Sequence, residues 1–161
     1  MNIRWHKKDE KAIIPTKRNE DAGFDIYTIE NNVILMPHEK HLFKTGLQYW
    51  ITPGYWLLAF DRGSTGSKGM HVHCGICDNG YRGEIFICIN NDNDYPVYIT
   101  DSVEKPEFKN LMLYYPKTKA LAQLIPMKAY EVVSDEVSDE DWADLAEDSE
   151  RKDSALGASG K

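Results

Sequence analysis

Short apolar and alternating segments, each bounded by turn-forming residues, run along the chain from residue 32 to about residue 130. Strands of this length at this spacing are typical of an all-β barrel or sandwich. The predicted strands are residues 33–36, 41–45, 47–51, 55–60, 71–77, 83–90, 95–100, 111–115 and 120–127. The pattern therefore predicts one all-β body that ends near Tyr130.

A strong turn signal stands between predicted strands 71–77 and 83–90. Asp78, Asn79 and Gly80 follow one another there, and an Asn-Gly pair tolerates the positive φ angles of tight turns. We therefore expect a β-hairpin centred on Asn79 and Gly80.

The segment 134–150 differs from the rest because it holds nine of the 26 acidic residues and no basic one. Ser138 precedes three carboxylates, which favour a helix N-terminus, and Trp142 and Leu145 form a small apolar stripe. We expect one short helix here, which serves either as a solvated linker or as a surface for a partner protein.

Composition narrows the class of protein. A chain of 161 residues with 42% hydrophobic and 28% charged residues suits one globular domain. The net charge of −7 argues against binding nucleic acid through the whole surface, and we expect no membrane segment or signal peptide. Three cysteines do not indicate a disulfide framework, so we expect reduced thiols and a cytoplasmic protein.

The densest polar segment is 61–69, which directly follows a predicted strand. It holds Arg62, Lys68, three hydroxyl side chains and three glycines, which suit phosphate oxygens that need charge, N–H donors and close backbone approach. By itself the segment is either a polar surface loop or a phosphate site. The small residues 154–161 leave a similar choice between a frayed tail and an arm that wraps an anion.

Asp78 and Tyr81 lie at the predicted hairpin tip. A carboxylate there could deprotonate water while the tyrosine ring packs on a ligand, although ordinary turn chemistry also explains Asp78. A set of residues that could bind zinc also occurs, namely His71, His73, Cys74 and Cys77. Alternation along a strand makes such side chains diverge, so we interpret them as strand residues.

Five segments together resemble, in order and spacing, the five motifs of trimeric dUTPases. The segments are 22–26, 62–68, 75–83, 122–124, and Arg151 with the terminus 157–160. The third segment, with its Asp-x-x-Tyr-Arg-Gly run, is the most specific. The resemblance spans nearly the whole chain.

The resemblance implies a fold and a reaction. The fold is a jelly-roll-like distorted β-barrel that forms a homotrimer, with active sites between subunits and a glycine-containing C-terminal arm that closes over them. The reaction is hydrolysis of dUTP to dUMP and pyrophosphate with Mg²⁺ on the triphosphate, which keeps uracil out of DNA and supplies dUMP for dTMP synthesis. The implied division is a barrel at 1–130, an acidic linker with a short helix at 131–150 and an arm at 151–161.

The resemblance also implies roles for individual residues. Asp78 would activate the water that attacks the α-phosphorus, Tyr81 would pack under the deoxyribose, and Asp25 would reach magnesium through water. The backbone of Gly75, Ile76 and Cys77 would pair with uracil. The residues that hold or cover the triphosphate would be Arg62, Gly63, Ser64, Gln123, Arg151, Leu156 and Gly157.

Four positions depart from the family pattern. They are Gly63 in place of serine, Ala120 in place of arginine, Lys152 in place of glycine, and Leu156 in place of an aromatic residue. The hydroxyl missing at Gly63 would have to come from Ser64, and stacking of the arm on uracil should be weaker.

The spacing between Asn91 and Gln123 is longer than in compact family members, so we expect an inserted surface element at about 101–116. Two other functions stay open. A dCTP deaminase would share the fold and the triphosphate site, but the loop at 78–83 resembles the dUTPase version. A nucleotide-gated regulatory protein could use 101–116 or 134–150 to bind a partner.

Overall fold

The computed structural model describes residues 1–102 and 111–147. Within these ranges the chain forms twelve strands and two short helices, and the all-β prediction is confirmed. The strands are β1 Ile3–Lys7, β2 Phe24–Ile26, β3 Val33–Leu35, β4 Lys40–Lys44, β5 Leu47–Ile51, β6 Tyr55–Phe60, β7 Met70–His73, β8 Ile76–Cys77, β9 Phe86–Asn91, β10 Val97–Thr100, β11 Leu113–Pro116 and β12 Ala122–Lys128. The helices are α1 Gly63–Gly66 and α2 Asp139–Glu147.

Alternation along the strands builds the core. In β5 the side chains of Leu47, Tyr49 and Ile51 are buried, whereas Trp50 faces outward. Because successive strand residues point to opposite faces, the apolar residues at every second position collect on one side. Residues from nearly all the strands meet there in one hydrophobic cluster.

The described strands form four sheets, with the orders β1-β5, β11-β10-β3, β2-β12-β6-β8 and β4-β9-β7. The four-stranded sheet determines where most of the predicted site residues lie. Its register sets Asp25 of β2 opposite Gln123 of β12, and Gln123 opposite Phe60 of β6. β8 is the other edge of this sheet and pairs with β6.

The hairpin predicted at Asn79 and Gly80 differs from the observed structure. β7 and β9 are antiparallel and end their pairing at His73 and Cys88, so the strands are joined by a wide loop, residues 74–85, rather than by a tight turn. Positive φ occurs at Cys74 (φ 55) and not at Asn79 or Gly80. The prediction of a tight turn was wrong because the Asn79 side chain bonds to another part of the barrel instead.

The C-terminal end of the expected surface element at 101–116 belongs to the barrel. Leu113–Pro116 form β11, which pairs in parallel with β10, and Tyr115 is 2% exposed. Apolar burial explains the difference, because the side chain of Tyr115 is in the hydrophobic cluster. Residues 103–110 of the expected element lie outside the described residues.

Contacts between Cα atoms divide the chain into two compact units, Met1–Ala129 and Tyr130–Lys161. In the second unit the predicted acidic helix is confirmed as α2. Ser138 caps it, because its Oγ accepts a hydrogen bond of 3.1 Å from the amide of Asp141. Among the residues described, no helix has the length and apolar character needed to cross a membrane.

Candidate active site

A polar cleft of about 750 Å³ opens beside β2 and the end of β6. Three parts of the chain line it: the loop 16–23 with Asp25, the segment 62–64 that follows β6, and Gln123 of β12. Gln123 and Asp25 are neighbours in the sheet register, and Arg62 lies two residues beyond the end of β6. The sheet therefore brings together residues of the first, second and fourth predicted motifs.

Arg62 and Asp25 form a bidentate ion pair at this cleft. Nε of Arg62 lies 2.7 Å from Oδ1 of Asp25, and Nη2 lies 3.0 Å from Oδ2. The remaining guanidinium nitrogen, Nη1, donates to Oγ of Ser64 at 3.1 Å. The side chains of Arg62 and Asp25 are 29% and 34% exposed, so the guanidinium is held in one orientation while part of it faces the cleft.

The turn after Arg62 is fixed by a buried hydroxyl. Oγ1 of Thr65 accepts a hydrogen bond from the amide of Arg62 and donates one to its carbonyl, each at 3.1 Å, and Thr65 is fully buried. Gly63 and Ser64 are exposed on the same turn. A Cβ atom at Gly63 would meet no heavy atom within 4 Å, so the space for a side chain is open at this position.

Gln123 is oriented by groups that the sequence analysis did not identify as part of the site. Its Nε2 donates to the carbonyl of Asp61 at 2.7 Å, and a Cβ on Gly23 would lie 3.0 Å from its Oε1. The Asp61 carboxylate in turn accepts hydrogen bonds from the amide of Val72 at 2.6 Å and pairs with Nδ1 of His71 at 2.7 Å. His71 therefore contacts a carboxylate behind the cleft.

The remaining predicted residues lie on loop 74–85. The amide of Ala59 donates to the carbonyl of Gly75 at 2.6 Å, which joins β8 to β6. Since hydrogen-bonding direction alternates along an antiparallel strand, the N–H and C=O of Ile76 point away from β6, towards the open edge of the sheet. Burial, followed by the charge of Asp78, raises the pKa of Cys77 to about 11, so its thiol stays protonated near neutral pH.

Asp78 and Tyr81 are held by backbone contacts. The hydroxyl of Tyr49 donates to the carbonyl of Asp78, and the amide of Tyr81 donates to the same carbonyl at 3.1 Å. The Tyr81 hydroxyl donates to the carbonyl of Glu84 at 2.8 Å, and its ring lies against Gly83, where a Cβ atom would overlap it. Asp78 is exposed and Tyr81 is 43% exposed, so both side chains are accessible to a ligand.

The two groups of predicted residues lie at opposite edges of one sheet. Three strand spacings separate β2 from β8, which corresponds to at least about 14 Å. Accordingly, among the described residues, neither Asp78 nor Tyr81 lines the cleft that holds Arg62. One copy of the chain therefore presents two half-sites.

Metal binding is limited by the available side chains. In residues 1–102 and 111–147, no group of three or more His, Cys, Asp or Glu side chains could hold a metal ion. Both oxygens of Asp25 already accept bonds from Arg62, but a carboxylate has about four acceptor positions. A magnesium ion held mainly by ligand phosphates and contacted by Asp25 through water fits this donor set.

Three predicted residues of the C-terminal arm, Arg151, Leu156 and Gly157, lie outside the described residues, as does Lys152. Ala120 is described and is 2% exposed. Its carbonyl accepts from the hydroxyl of Tyr115 at 2.8 Å, so it belongs to the packing beneath the cleft.

Comparison with known proteins gave one family and many relatives. The family model described as dUTPase matches residues 9–103. A deoxyuridine 5'-triphosphate nucleotidohydrolase of Nautilia profundicola is 37% identical over 103 residues, which cover 58% of this chain and 69% of that protein. One from Helicobacter pylori (strain Shi470) is 33% identical over 109 residues, covering 64% and 74%.

Solved structures of dUTPases are similar over the whole chain. A mutant of the Staphylococcus bacteriophage 80alpha dUTPase with dUpNHpp has a TM-score of 0.76 and 26% identity, covering 99% of each chain. A mutant dUTPase from phage phi11 of S. aureus, described with a structural Mg(II) ion, has a TM-score of 0.67 and 24% identity and covers 85% of this chain and 97% of that one. The jelly-roll-like fold expected from the sequence is confirmed.

Proposed function

Because the chain belongs to the dUTPase family, we propose that it hydrolyses dUTP to dUMP and pyrophosphate. The observation that carries this proposal is the guanidinium of Arg62, which Asp25 and Ser64 hold in a fixed orientation at a polar cleft. Phosphoryl transfer depends on positioning and on stabilising charge, and a fixed cation with neighbouring hydroxyl and amide groups provides both.

In this proposal the cleft binds the triphosphate. Arg62 donates to phosphate oxygens through the part of its guanidinium that faces the cleft, while the hydroxyl of Ser64 and the backbone at Gly63 lie beside it. Gln123 contacts phosphate and helps to order the attacking water. Arg151, Leu156 and Gly157 would cover the phosphates from the C-terminal arm.

Loop 74–85 would bind the nucleoside and supply the base. The outward N–H and C=O of Ile76, between Gly75 and Cys77, offer one donor and one acceptor to the edge of uracil. Tyr81 would pack under the deoxyribose and leave no room for a 2′-hydroxyl. Asp78 would take a proton from water as the water oxygen attacks the α-phosphorus, and pyrophosphate would then leave.

A complete site in this proposal needs more than one copy of the chain, because Asp78 and Arg62 lie at opposite edges of the sheet. The outer face of that sheet supports a second copy as the partner, since it carries a row of apolar side chains on the same side as Gln123. The row consists of Trp56, Leu58, Phe60, Ile76, Ile125 and Met127. Phe60 and Ile76 are 56% and 67% exposed in a single copy, and contact with another copy would bury them. We propose the homotrimer of the family.

Magnesium would be held by the phosphates of dUTP, with Asp25 contacting its water ligands. When bound, Mg²⁺ neutralises charge on the triphosphate. Asp25 keeps its bonds to Arg62 in this arrangement, so the two charges at the cleft are oriented together.

A second candidate function, binding of a regulatory protein, is favoured by α2. Its exposed face carries Trp142 and Leu145, which are 63% and 61% exposed, beside a run of carboxylates. Exposed aromatic side chains often anchor protein interfaces. One related structure is described under the statement that phage dUTPases control transfer of virulence genes. The proposed surfaces are 134–150 and 101–116, and catalysis and such binding could coexist.

The test is pyrophosphate release from dUTP, measured beside dCTP, dTTP and UTP, with Mg²⁺ and then with a chelator. We expect Mg²⁺-dependent release from dUTP alone and the mass of a trimer by light scattering. Release of ammonia from dCTP would support a deaminase instead. Binding of dUTP without turnover would overturn the enzymatic proposal and favour the regulatory one.

A further inference from the structure

Strand β5 has two differently used edges. Along one edge it pairs with β1 over its whole length. Along the other, it contacts loop 74–85 through side chains and backbone rather than through a regular ladder. Leu47 accepts from the amide of Ile85 at 2.8 Å, and Nε2 of Gln48 donates to the carbonyl of Arg82 at 2.6 Å. The loop that carries Asp78 therefore lies against one strand.

Asn79 makes the most concentrated of these contacts. Its Nδ2 lies 3.1 Å from the carbonyl of Ile51, 3.1 Å from that of Thr52 and 2.8 Å from that of Tyr55. These three carbonyls are at the end of β5 and the turn into β6. One amide group thus joins the residue after Asp78 to the point where the chain reverses.

Tyr49 fixes the preceding peptide. Its ring is in the core, with the residue 3% exposed, and its hydroxyl donates to the carbonyl of Asp78. Burial is the main cause of a raised pKa for Tyr49, so the hydroxyl remains a donor over the working range of the enzyme. Neither Tyr49 nor Asn79 reaches the Asp78 carboxylate, which is exposed and takes its direction from the backbone that these two residues hold.

We propose that Tyr49 and Asn79 are positioning residues that fix the direction of the Asp78 carboxylate by anchoring its backbone to β5 and to the turn after it. The inference rests on the proposed function, in which Asp78 activates water. A carboxylate turned away from the attacking water loses turnover although substrate contacts elsewhere are kept.

The chain offers a matched control for each residue. Tyr98 is also buried and donates its hydroxyl to Oδ1 of Asn32 at 3.0 Å, away from loop 74–85. Nδ2 of Asn91 also contacts three carbonyls, those of Leu35, Met36 and Tyr95, at 3.2, 3.0 and 2.9 Å. The variants Tyr98→Phe and Asn91→Ala therefore remove the same types of hydrogen bond from another part of the barrel.

The experiment compares Tyr49→Phe and Asn79→Ala with these two controls in the full-length chain. For Tyr49→Phe and Asn79→Ala we expect kcat for dUTP to fall by about 10- to 100-fold, with KM within about twofold of wild type. For Tyr98→Phe and Asn91→Ala we expect comparable losses in the free energy of unfolding with kcat within about twofold of wild type. Equal kcat in all four variants, or equal falls in all four, would overturn the inference.

A second readout does not depend on turnover. The amide of Tyr81 donates to the same Asp78 carbonyl, so its hydrogen exchange reports whether that peptide is held. We expect faster exchange at Tyr81 in Tyr49→Phe and Asn79→Ala than in the controls, and equal exchange would refute the anchoring. If the wild type releases no pyrophosphate from dUTP, the proposed function fails, and the exchange result alone decides whether the loop is anchored as inferred.

Discussion

Introducing a serine at Gly63 tests the geometry of the phosphate cleft. The added Cβ meets no heavy atom within 4 Å, and Gly63 is exposed with no left-handed φ, so the backbone accepts a side chain without strain. Restricting the unfolded chain at such a position stabilises a protein by about 0.4–1 kcal/mol. A hydroxyl that donates to a charged phosphate oxygen adds about 1.5 kcal/mol of binding, which is roughly tenfold in kcat/KM.

The assay compares wild type with Gly63→Ala and Gly63→Ser. The alanine variant carries the backbone effect alone, so any difference between the two variants belongs to the hydroxyl. We expect both to be at least as stable as wild type in urea, and Gly63→Ser to hydrolyse dUTP with the higher kcat/KM. Equal kcat/KM for the two variants would show that position 63 does not face phosphate, and loss of stability in either would show that the turn has no free space.

Three further outcomes are expected. Asp78→Asn should bind a non-hydrolysable dUTP analogue with unchanged affinity and lower kcat by at least about 100-fold; an unchanged kcat would exclude Asp78 as the base. Gly75→Ala should lose about 1–3 kcal/mol of stability in urea denaturation, because the new Cβ would overlap the carbonyl oxygen of Ala59, and wild-type stability would contradict this contact. Chelation of Mg²⁺ should abolish turnover but leave the free energy of unfolding of the nucleotide-free protein unchanged, since the described residues provide no metal-binding cluster; a loss of stability would indicate a structural ion.

Much of the strand pattern can be predicted from local sequence. The predicted strands at 47–51 and 55–60 agree with β5 and β6 at both ends, and the helix after Ser138 agrees with α2. Alternating burial and a capping side chain are local signals, so they can be recognised without the fold. β1 and β2 were not predicted, because their short or charged sequences become strands only through pairing with β5 and β12.

The candidate site could be predicted in part, through the family resemblance. Arg62, Ser64 and Gln123 do line one cleft with Asp25. The sequence could not show that Asp61 orients Gln123, that Tyr49 bonds to the Asp78 carbonyl, or that Asn79 binds three carbonyls instead of forming a tight turn. Each of these contacts joins residues at least 24 positions apart, so it depends on strand order and register rather than on any local pattern.

The position of Asp78 and Arg62 at opposite edges of a sheet has a genetic consequence. If each site takes one edge from each of two copies, an Asp78→Asn subunit still offers its neighbour an intact Arg62, and an Arg62→Ala subunit still offers an intact Asp78. Two inactive alleles expressed together would then complement each other, with about a quarter of the sites restored at equal expression. By the same reasoning, a single defective allele would impair sites that contain wild-type subunits, and its phenotype would be partly dominant.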